Sequence, residues 1–209
     1  MHPECYHSDV ARPKEFARNA ALEAAKAVFW RQGYHATTTE DLRRAMGIGR
    51  QSFYDSFVGK RETFLEVLKR YNDDGLAESV ARARSARSPL AGIERLLFAI
   101  ADERQPRRGL GCLGVTTMCE LGVSDADVAE IGRSSNARLE AILEELVRSA
   151  KTKGEVRASV HERAIARQLN ATILGMKVLA KAGASAAVLR DVAAAAVAGL
   201  EHRSRAGNA

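Results

Sequence analysis

The sequence predicts an all-α protein, and three observations carry this prediction. Long segments place apolar residues three and four positions apart, which is the spacing of one buried helix face. Alanine, leucine, glutamate and arginine dominate those segments, and these residues have high helix propensity. The chain has 4 prolines among 209 residues, so few positions interrupt a helix. A chain of this length can bury a full core in one large domain or two modest ones.

The first predicted helix lies close to the N-terminus. Residues 1–13 show no apolar periodicity and are predicted to form a flexible tail. Over residues 14–32 the apolar positions follow helical spacing, and Gly33 is expected to end the helix as a C-cap. The two histidines and Cys5 of the tail lack a fourth ligand and a rigid framework, so no metal site is predicted.

The strongest local pattern predicts two short helices joined by a tight turn. Threonine hydroxyls can cap a helix that starts near Thr39, and Gly47 is expected to end it in the left-handed conformation. A second helix is predicted over residues 50–57, with Phe53 and Phe57 four positions apart and facing inward. Together these elements predict a helix-turn-helix.

The outward face of the second helix carries cationic, amide and hydroxyl groups, which hydrogen-bond phosphates and base edges in a major groove. The predicted partner is therefore double-stranded DNA. Base edges are the expected partners of Arg50, Gln51 and Ser52. Phosphates are the expected partners of Thr38, Tyr54 and Lys60, and Arg44 can reach the DNA backbone from the first helix. Thr39 is a further predicted DNA-binding residue.

Twelve positions around this motif stand in the order and spacing of a known family. They are Phe29, Gly33, Tyr34, Thr37, Thr38, Asp41, Leu42, Gly47, Ile48, Tyr54, Phe57 and Lys60. In these residues the chain resembles the TetR/AcrR family of bacterial transcriptional repressors. The resemblance implies a three-helix DNA-binding domain over residues 14–60 and a helical effector-binding and dimerisation domain over residues 61–202. About nine helices are expected in all, followed by a flexible tail over residues 203–209.

Three positions depart from the family pattern. Arg43 stands where the family usually has alanine, and Gln51 stands where glycine is common. Gly49 replaces the serine or threonine that usually caps the recognition helix. Glycine is nearly as good a cap, so this exchange costs only about a few tenths of a kcal/mol. The motif is therefore retained, and the departures concern which bases it contacts.

Helices are also predicted through most of the remaining chain. A long helix begins at Lys60 and ends between residues 81 and 88. The other helical segments are residues 90–103 and 111–122, a helix capped by Ser124 or Asp125 that runs to about Ala150, and residues 161–182 and 185–202. The segment QPRRGLG is predicted to be a loop. Residues 111–122 carry Glu120 as their one charge, so this helix is expected to be buried on nearly all sides.

The last two predicted helices, over residues 161–182 and 185–202, each carry a stripe of small and apolar residues. Such stripes allow close approach to a symmetry mate, as in a four-helix interface of a homodimer. The alternative is that they complete the core of one protomer. The resemblance favours the homodimer, because members of the family bind the paired half-sites of palindromic operators as two-fold dimers.

The resemblance further implies a small-molecule effector that releases the protein from its operator. Polar and soft groups on otherwise apolar helices are the candidate lining residues, because such groups orient a mostly hydrophobic ligand. They are Phe98, Cys112, Thr116, Met118, Cys119 and Asn136. Each can instead be an ordinary core position, and Asn136 can also face solvent. No cofactor is predicted.

Three other classes of function have weaker support in the sequence. Cys112 and Cys119 are seven positions apart, on one face of a helix, with Cα atoms about 10.5 Å apart. That distance is too long for a disulfide, so a redox or electrophile sensor needs one modified cysteine or a rearranged helix. The five histidines form no catalytic motif, so an enzyme is not predicted. The third class is a helical adaptor without DNA binding.

The net charge of +6 suits an anionic partner, although charge alone does not distinguish DNA from RNA or lipid. An odd number of cysteines, 3, argues against a disulfide framework and suits a reducing cytoplasm. The sequence contains no apolar run near eighteen residues and no signal-peptide core. A cytoplasmic protein without a membrane segment is therefore predicted.

Overall fold

A computed structural model of the chain describes residues 11–104 and 107–200, and every regular element within them is a helix. The all-α prediction is confirmed. Cys5 and most of the predicted N-terminal tail lie outside the described residues, as does the predicted C-terminal tail. The chain divides into two compact units, the first ending at Tyr71 and the second beginning at Asn72.

The N-terminal unit is built from three helices and the first part of a fourth. They are α1 (Ala11–Ala36), α2 (Thr39–Met46), α3 (Arg50–Ser56) and α4 (Lys60–Arg84). At Gly33 the φ angle is 79°, which interrupts α1 at the residue expected to end the first helix. This helix begins at Ala11, earlier than the predicted residue 14.

Aromatic side chains hold the start of α4 inside the N-terminal unit. The ring of Phe64 lies 4.9 Å from that of Phe29 and 4.8 Å from that of Tyr34, measured between centroids. Val67 and Leu68 are also buried. The structure therefore divides the chain later than the predicted domain boundary at residue 60, because the apolar face of α4 completes the core of this unit.

The C-terminal unit contains the rest of α4 and six further α-helices in the described residues. They are α5 (Pro89–Asp102), α6 (Arg107–Leu110), α7 (Leu113–Glu120), α8 (Ala126–Thr152), α9 (Glu162–Lys181) and α10 (Ala186–Ala198), with a 3-10 helix over Gly122–Ser124 before α8. Side chains of Ser88, Asp125, His161 and Ser185 accept hydrogen bonds from the first turns of α5, α8, α9 and α10. These caps explain why the four helices begin where they do.

One hydrophobic core joins α5, α8, α9 and α10. Its fully buried side chains include Ile93, Leu97, Leu143, Val147, Met176, Leu189 and Ala193. The predicted stripes on the last two helices divide between two environments. Met176 and Leu189 belong to this core, whereas Leu179 and Val188 are 40% and 46% exposed. Part of each stripe therefore completes the protomer, and part remains at the surface.

Two sequence predictions about the middle of this unit are wrong. The segment QPRRGLG contains the short helix α6 where a loop was expected. Helix α7 was expected to be buried on nearly all sides, but within it only Leu113 and Thr117 are buried and Cys119 is exposed. An uncharged segment is therefore not enclosed within the bundle here, because α7 buries one face only.

Within the described ranges, no helix has both the length and the apolar composition that a membrane span requires.

Candidate nucleic-acid interface

The first helix of the helix-turn-helix begins with a capping box at Thr38. The Thr38 hydroxyl accepts a hydrogen bond from the Asp41 backbone N–H at 3.1 Å, and the Thr38 backbone N–H donates to Asp41 Oδ2 at 3.0 Å. The hydroxyl also donates to Asp41 Oδ2 at 2.6 Å, and this bond is the main reason that the pKa of Asp41 lies below its usual value. The predicted start near Thr39 is confirmed, and the Thr38 hydroxyl proton is already engaged.

The turn between the two helices depends on Gly47. Its φ angle is 67°, in the left-handed region, and its backbone N–H donates to the carbonyls that end α2. No atom lies within 4 Å of the place where a Cβ would stand. Glycine is therefore favoured here by backbone conformation and not by lack of space.

Helix α3 separates a buried face from an exposed one. Phe53 is fully buried and Phe57, which follows the helix as its C-cap, is nearly so. Gly49 caps the N-terminus in extended conformation and supplies no side-chain hydrogen bond. The outward positions are exposed and include the four predicted DNA-facing residues of this helix, Arg50, Gln51, Ser52 and Tyr54.

Lys60, the first residue of α4, is anchored by the end of α1. Its Nζ lies 4.4 Å from the centroid of the Tyr34 ring and donates to the His35 carbonyl at 3.4 Å. A cation held over an aromatic face keeps its charge while losing some of its freedom. The ammonium group is therefore available to an anion in one restricted position.

Helix α2 carries two predicted DNA-binding residues, Thr39 and Arg44, and one departure from the family pattern, Arg43. The Arg44 side chain is 75% exposed, and its nearest carboxylate, Glu40, is 4.0 Å away. Arg43 pairs with Glu40 across one helical turn, and its Nε is buried without a hydrogen-bond partner in the described residues. Arg43 therefore folds back along α2, whereas Arg44 projects into solvent. Thr39 lies half-buried at the first position of α2.

An ion pair that the sequence did not predict connects α1 with α4 beside the recognition helix. Arg18 donates from Nη1 and Nη2 to the two carboxylate oxygens of Glu66, each at 2.6 Å. The Arg18 guanidinium also lies 5.0 Å from the centroid of the Phe57 ring. Through these contacts Phe57, the C-cap of α3, is held beside α1 and α4.

Acidification is expected to remove the contribution of this ion pair to the stability of the N-terminal unit. The hydrogen bonds from Arg18 hold the pKa of Glu66 below its usual value of 4.5. A carboxyl group with a depressed folded-state pKa stabilises the fold above its unfolded-state pKa, and this stabilisation is lost as pH falls through the lower value. We expect Glu66→Gln to cost about 1 kcal/mol near neutral pH and nothing below the folded-state pKa.

Thermal unfolding of the wild type and of Glu66→Gln, measured between about pH 7 and about pH 3, tests this expectation. Glu78→Gln is the matched control, because Glu78 pairs with Arg82 within one exposed helix. If the difference in stability between wild type and Glu66→Gln stays constant over the whole pH range, the Arg18–Glu66 ion pair is not the source of the stabilisation.

The sequence of both units matches models of one protein family. Residues 21–67 match the model described as bacterial regulatory proteins, tetR family, and residues 91–196 match the model of a tetracyclin repressor-like C-terminal domain. The chain belongs to the tetR family. Members of this family are transcriptional regulators rather than enzymes, so the protein is a DNA-binding transcriptional regulator.

Curated relatives and solved structures agree with the tetR assignment. The chain is 30% identical to the HTH-type transcriptional repressor ComR of Escherichia coli (strain K12) over 91% of each chain. It is 29% identical to the uncharacterized HTH-type transcriptional regulator YezE of Bacillus subtilis (strain 168), over 87% of this chain and 95% of that one.

Solved tetR-family structures share the fold at lower identity. Reduced E. coli NemR has a TM-score of 0.79 and 18% identity, over 89% of this chain and 97% of that one. A cysteine mutant of the TetR-family regulator CifR, complexed with 26-bp operator DNA, has a TM-score of 0.71 and 23% identity, over 96% of this chain and 100% of that one. The family assignment favours a DNA-binding regulator over a helical adaptor without DNA binding.

The six residues predicted to bind an effector lie in different surroundings. Asn136 Nδ2 lies 3.8 Å from Met118 Sδ, so these two residues meet where α7 packs on α8. Phe98 packs against the hydrophobic core instead. Thr116 is half-buried, and its hydroxyl has no partner among the described residues.

The two cysteines do not share a helix face as the sequence predicted. Cys112 precedes α7 as its N-cap and is buried, whereas Cys119 is exposed near the end of the helix. The spacing argument assumed one helix through both residues, but α7 begins only at Leu113.

A groove that the sequence did not predict lies between α4 and α8. Its volume is about 560 Å³, and it is lined by Asp73, Leu76, Ala77, Val80, Ala81, Arg84, Arg138, Ala141 and Ile142. None of the six predicted effector residues is among them. The apolar positions on α4 were visible in the sequence, but their pairing with α8 depends on tertiary packing.

Proposed function

We propose that this protein represses transcription by binding a palindromic operator as a homodimer, and that a small-molecule effector releases it. The observation that carries the proposal is the division of α3 into a buried face, with Phe53 and Phe57, and an exposed face of hydrogen-bonding side chains. The similarity to ComR, which is named a repressor, supports the direction of regulation. The operator lies in the cytoplasm, where the protein acts.

Within this proposal, base edges are contacted by Arg50, Gln51 and Ser52. Arg50 is exposed at the first position of α3, and its guanidinium can form two hydrogen bonds with a guanine. Phosphates are contacted by the surrounding residues Thr39, Arg44, Tyr54 and Lys60. Thr38 contributes mainly as the cap that fixes α2, because its hydroxyl proton is donated to Asp41.

Two substitutions separate base contacts from phosphate contacts. Gln51→Ala is expected to lose about 1 to 3 kcal/mol of discrimination at one base position. Lys60→Ala is expected to weaken binding to all sequences and to lower the slope of log affinity against log salt by about one. Both are measured by titrating operator duplexes at several salt concentrations.

Lys153→Ala is the matched control, because it removes one positive charge from an exposed position of the C-terminal unit. We expect this variant to keep the wild-type salt slope. If Gln51→Ala and Lys60→Ala also bind every duplex as the wild type does, α3 does not lie in the major groove.

Dimerisation is assigned in this proposal to the exposed faces of α9 and α10. Val178, Leu179 and Val188 are between 40% and 48% exposed there. Small residues occupy other exposed positions of the same two helices, which are Ala171, Gly175, Ala187, Ala194 and Ala195. Large apolar side chains among small ones suit close helix packing between two copies of the chain.

The effector site is assigned to the groove between α4 and α8. Leu76, Val80 and Ile142 supply apolar surface, and Arg84 supplies positive charge. Arg138 also lines the groove, where it pairs with Asp73. We expect Ala141→Trp to fill the groove without changing operator affinity, so that compounds that release the wild type no longer release the variant. Fluorescence anisotropy of labelled operator, measured across a panel of small amphipathic compounds, is the assay.

Ala137→Trp is the matched control for this experiment, because Ala137 is exposed on α8 and does not line the groove. An Ala141→Trp variant that responds to every compound as the wild type does would mean that the effector binds elsewhere.

A further inference from the structure

Asp55 is an acidic residue on the exposed face of the helix that we assign to DNA. It lies one helical turn beyond Gln51, and both side chains are exposed. Gln51 Nε2 donates a hydrogen bond to Asp55 Oδ1 at 2.9 Å. A carboxylate beside DNA repels phosphates, so its position on this face requires a compensating role.

The hydrogen bond decides which way the Gln51 amide points. An amide group can turn by about 180° and exchange its oxygen with its nitrogen at little cost, because the terminal torsion is broad and roughly two-fold. An ionised carboxylate only accepts hydrogen bonds. Asp55 therefore selects the arrangement in which the Gln51 nitrogen faces the C-terminal end of α3 and the oxygen is left free.

The remaining groups of Gln51 match one base. Nε2 carries two hydrogens, and Asp55 accepts one of them, so the second N–H and the carbonyl oxygen Oε1 remain. In the major groove adenine presents N7 as an acceptor and N6–H as a donor, and a glutamine amide pairs with both. The N-terminal part of a recognition helix is the part that meets base edges, and Gln51 is its second residue.

We propose that Asp55 is a positioning residue that orients the Gln51 amide for an adenine in each half-site. This proposal rests on the proposed function, because it requires α3 to enter the major groove. Asp55 itself need not contact a base. Its effect is to hold Gln51 in the arrangement that adenine requires before DNA arrives, so that less conformational freedom is lost on binding.

The test uses the full-length protein and a library of duplexes with random sequence. Wild-type protein selects its preferred sequence, and parallel selection with Gln51→Ala identifies the base position that depends on Gln51. Titrations with each of the four base pairs at that position then give a preference ratio, which is the affinity for the A·T duplex divided by the affinity for the other duplexes. We expect A·T to be preferred, and Asp55→Ala to lower this ratio by about 3- to 10-fold.

Asp55→Asn removes the charge and also relaxes the constraint on the Gln51 amide, because an asparagine amide can either accept from Gln51 or donate to it. We expect Asp55→Asn to lower the preference ratio, but by a smaller factor than Asp55→Ala, because one of its two arrangements still accepts from Gln51. Both Asp55 variants are expected to bind all duplexes more tightly, because a charge that repels phosphate is gone. In a Gln51→Ala background, Asp55→Ala is expected to leave the preference ratio unchanged.

Three outcomes overturn the proposal. The Gln51-dependent position can prefer a base other than adenine, Asp55→Ala can leave the ratio unaltered, or it can lower the ratio equally with and without Gln51. Failure of the proposed function gives a different result, because wild-type protein then selects no sequence from the library. In that case the proposed role of Asp55 is also wrong. Thermal unfolding of each variant confirms that these exposed substitutions leave the fold intact.

Discussion

Phe53→Ala is expected to abolish operator binding by detaching the recognition helix from its own domain. Phe53 is fully buried, and its ring lies 5.7 Å from that of Phe57 between centroids. Truncating a buried phenylalanine costs about 3 to 5 kcal/mol, through lost burial and the cavity that remains. This cost is comparable with the whole stability of a small domain, so the N-terminal unit is expected to unfold.

Circular dichroism and operator titration of the full chain measure the two effects together. Tyr54→Ala is the matched control, because the neighbouring Tyr54 ring is 48% exposed and its loss leaves no cavity. The Tyr54 ring also contacts the Phe53 ring, with centroids 5.3 Å apart, so we expect Tyr54→Ala to be destabilised far less than Phe53→Ala and to bind DNA more weakly. Wild-type operator affinity in Phe53→Ala would show that α3 is not positioned by its buried face.

Leu179→Glu combined with Val188→Glu is expected to convert the homodimer to a monomer. Both side chains are large, apolar and exposed in one protomer, so the substitutions place charges where the second copy is proposed to pack. Burying an unpaired carboxylate at a helix interface is costly enough to break it. A dimer that binds two half-sites at once has an affinity about 100-fold or more above that of a monomer on one half-site. Operator affinity is therefore expected to fall by that factor.

Light scattering gives the oligomeric state of this variant, and titration with a full operator and with a single half-site gives its affinities. Ala137→Glu introduces the same charge at an exposed position of α8, which is not part of the proposed interface, and should remain dimeric. If the double variant stays a dimer, another surface of the protein forms the interface.

Local chemistry made the helix-turn-helix predictable from the sequence. The cap at Thr38 and the left-handed turn at Gly47 involve residues close together in the chain, and both are present. The inward placement of Phe53 and Phe57 follows from helical spacing and is also confirmed. In such a segment the contacts are local, so they can be predicted from the sequence alone.

Features that depend on distant residues were not predictable in the same way. Arg18 and Glu66 are separated by 48 positions, and no local pattern indicates that they pair. The limited burial of α7 depends on which neighbours cover it. By contrast, Asp55 lies four positions after Gln51, a spacing at which helical side chains are known to interact, so this contact could have been found.

The two faces of α3 have a consequence for the divergence of such proteins. Side chains that hold the helix in place point inward, whereas those proposed to distinguish bases point outward and contribute little to folding. Mutations at Arg50, Gln51 or Ser52 are therefore expected to change the preferred sequence with almost no loss of stability. After gene duplication, one copy can acquire a new set of target promoters through a few such changes while its scaffold stays the same.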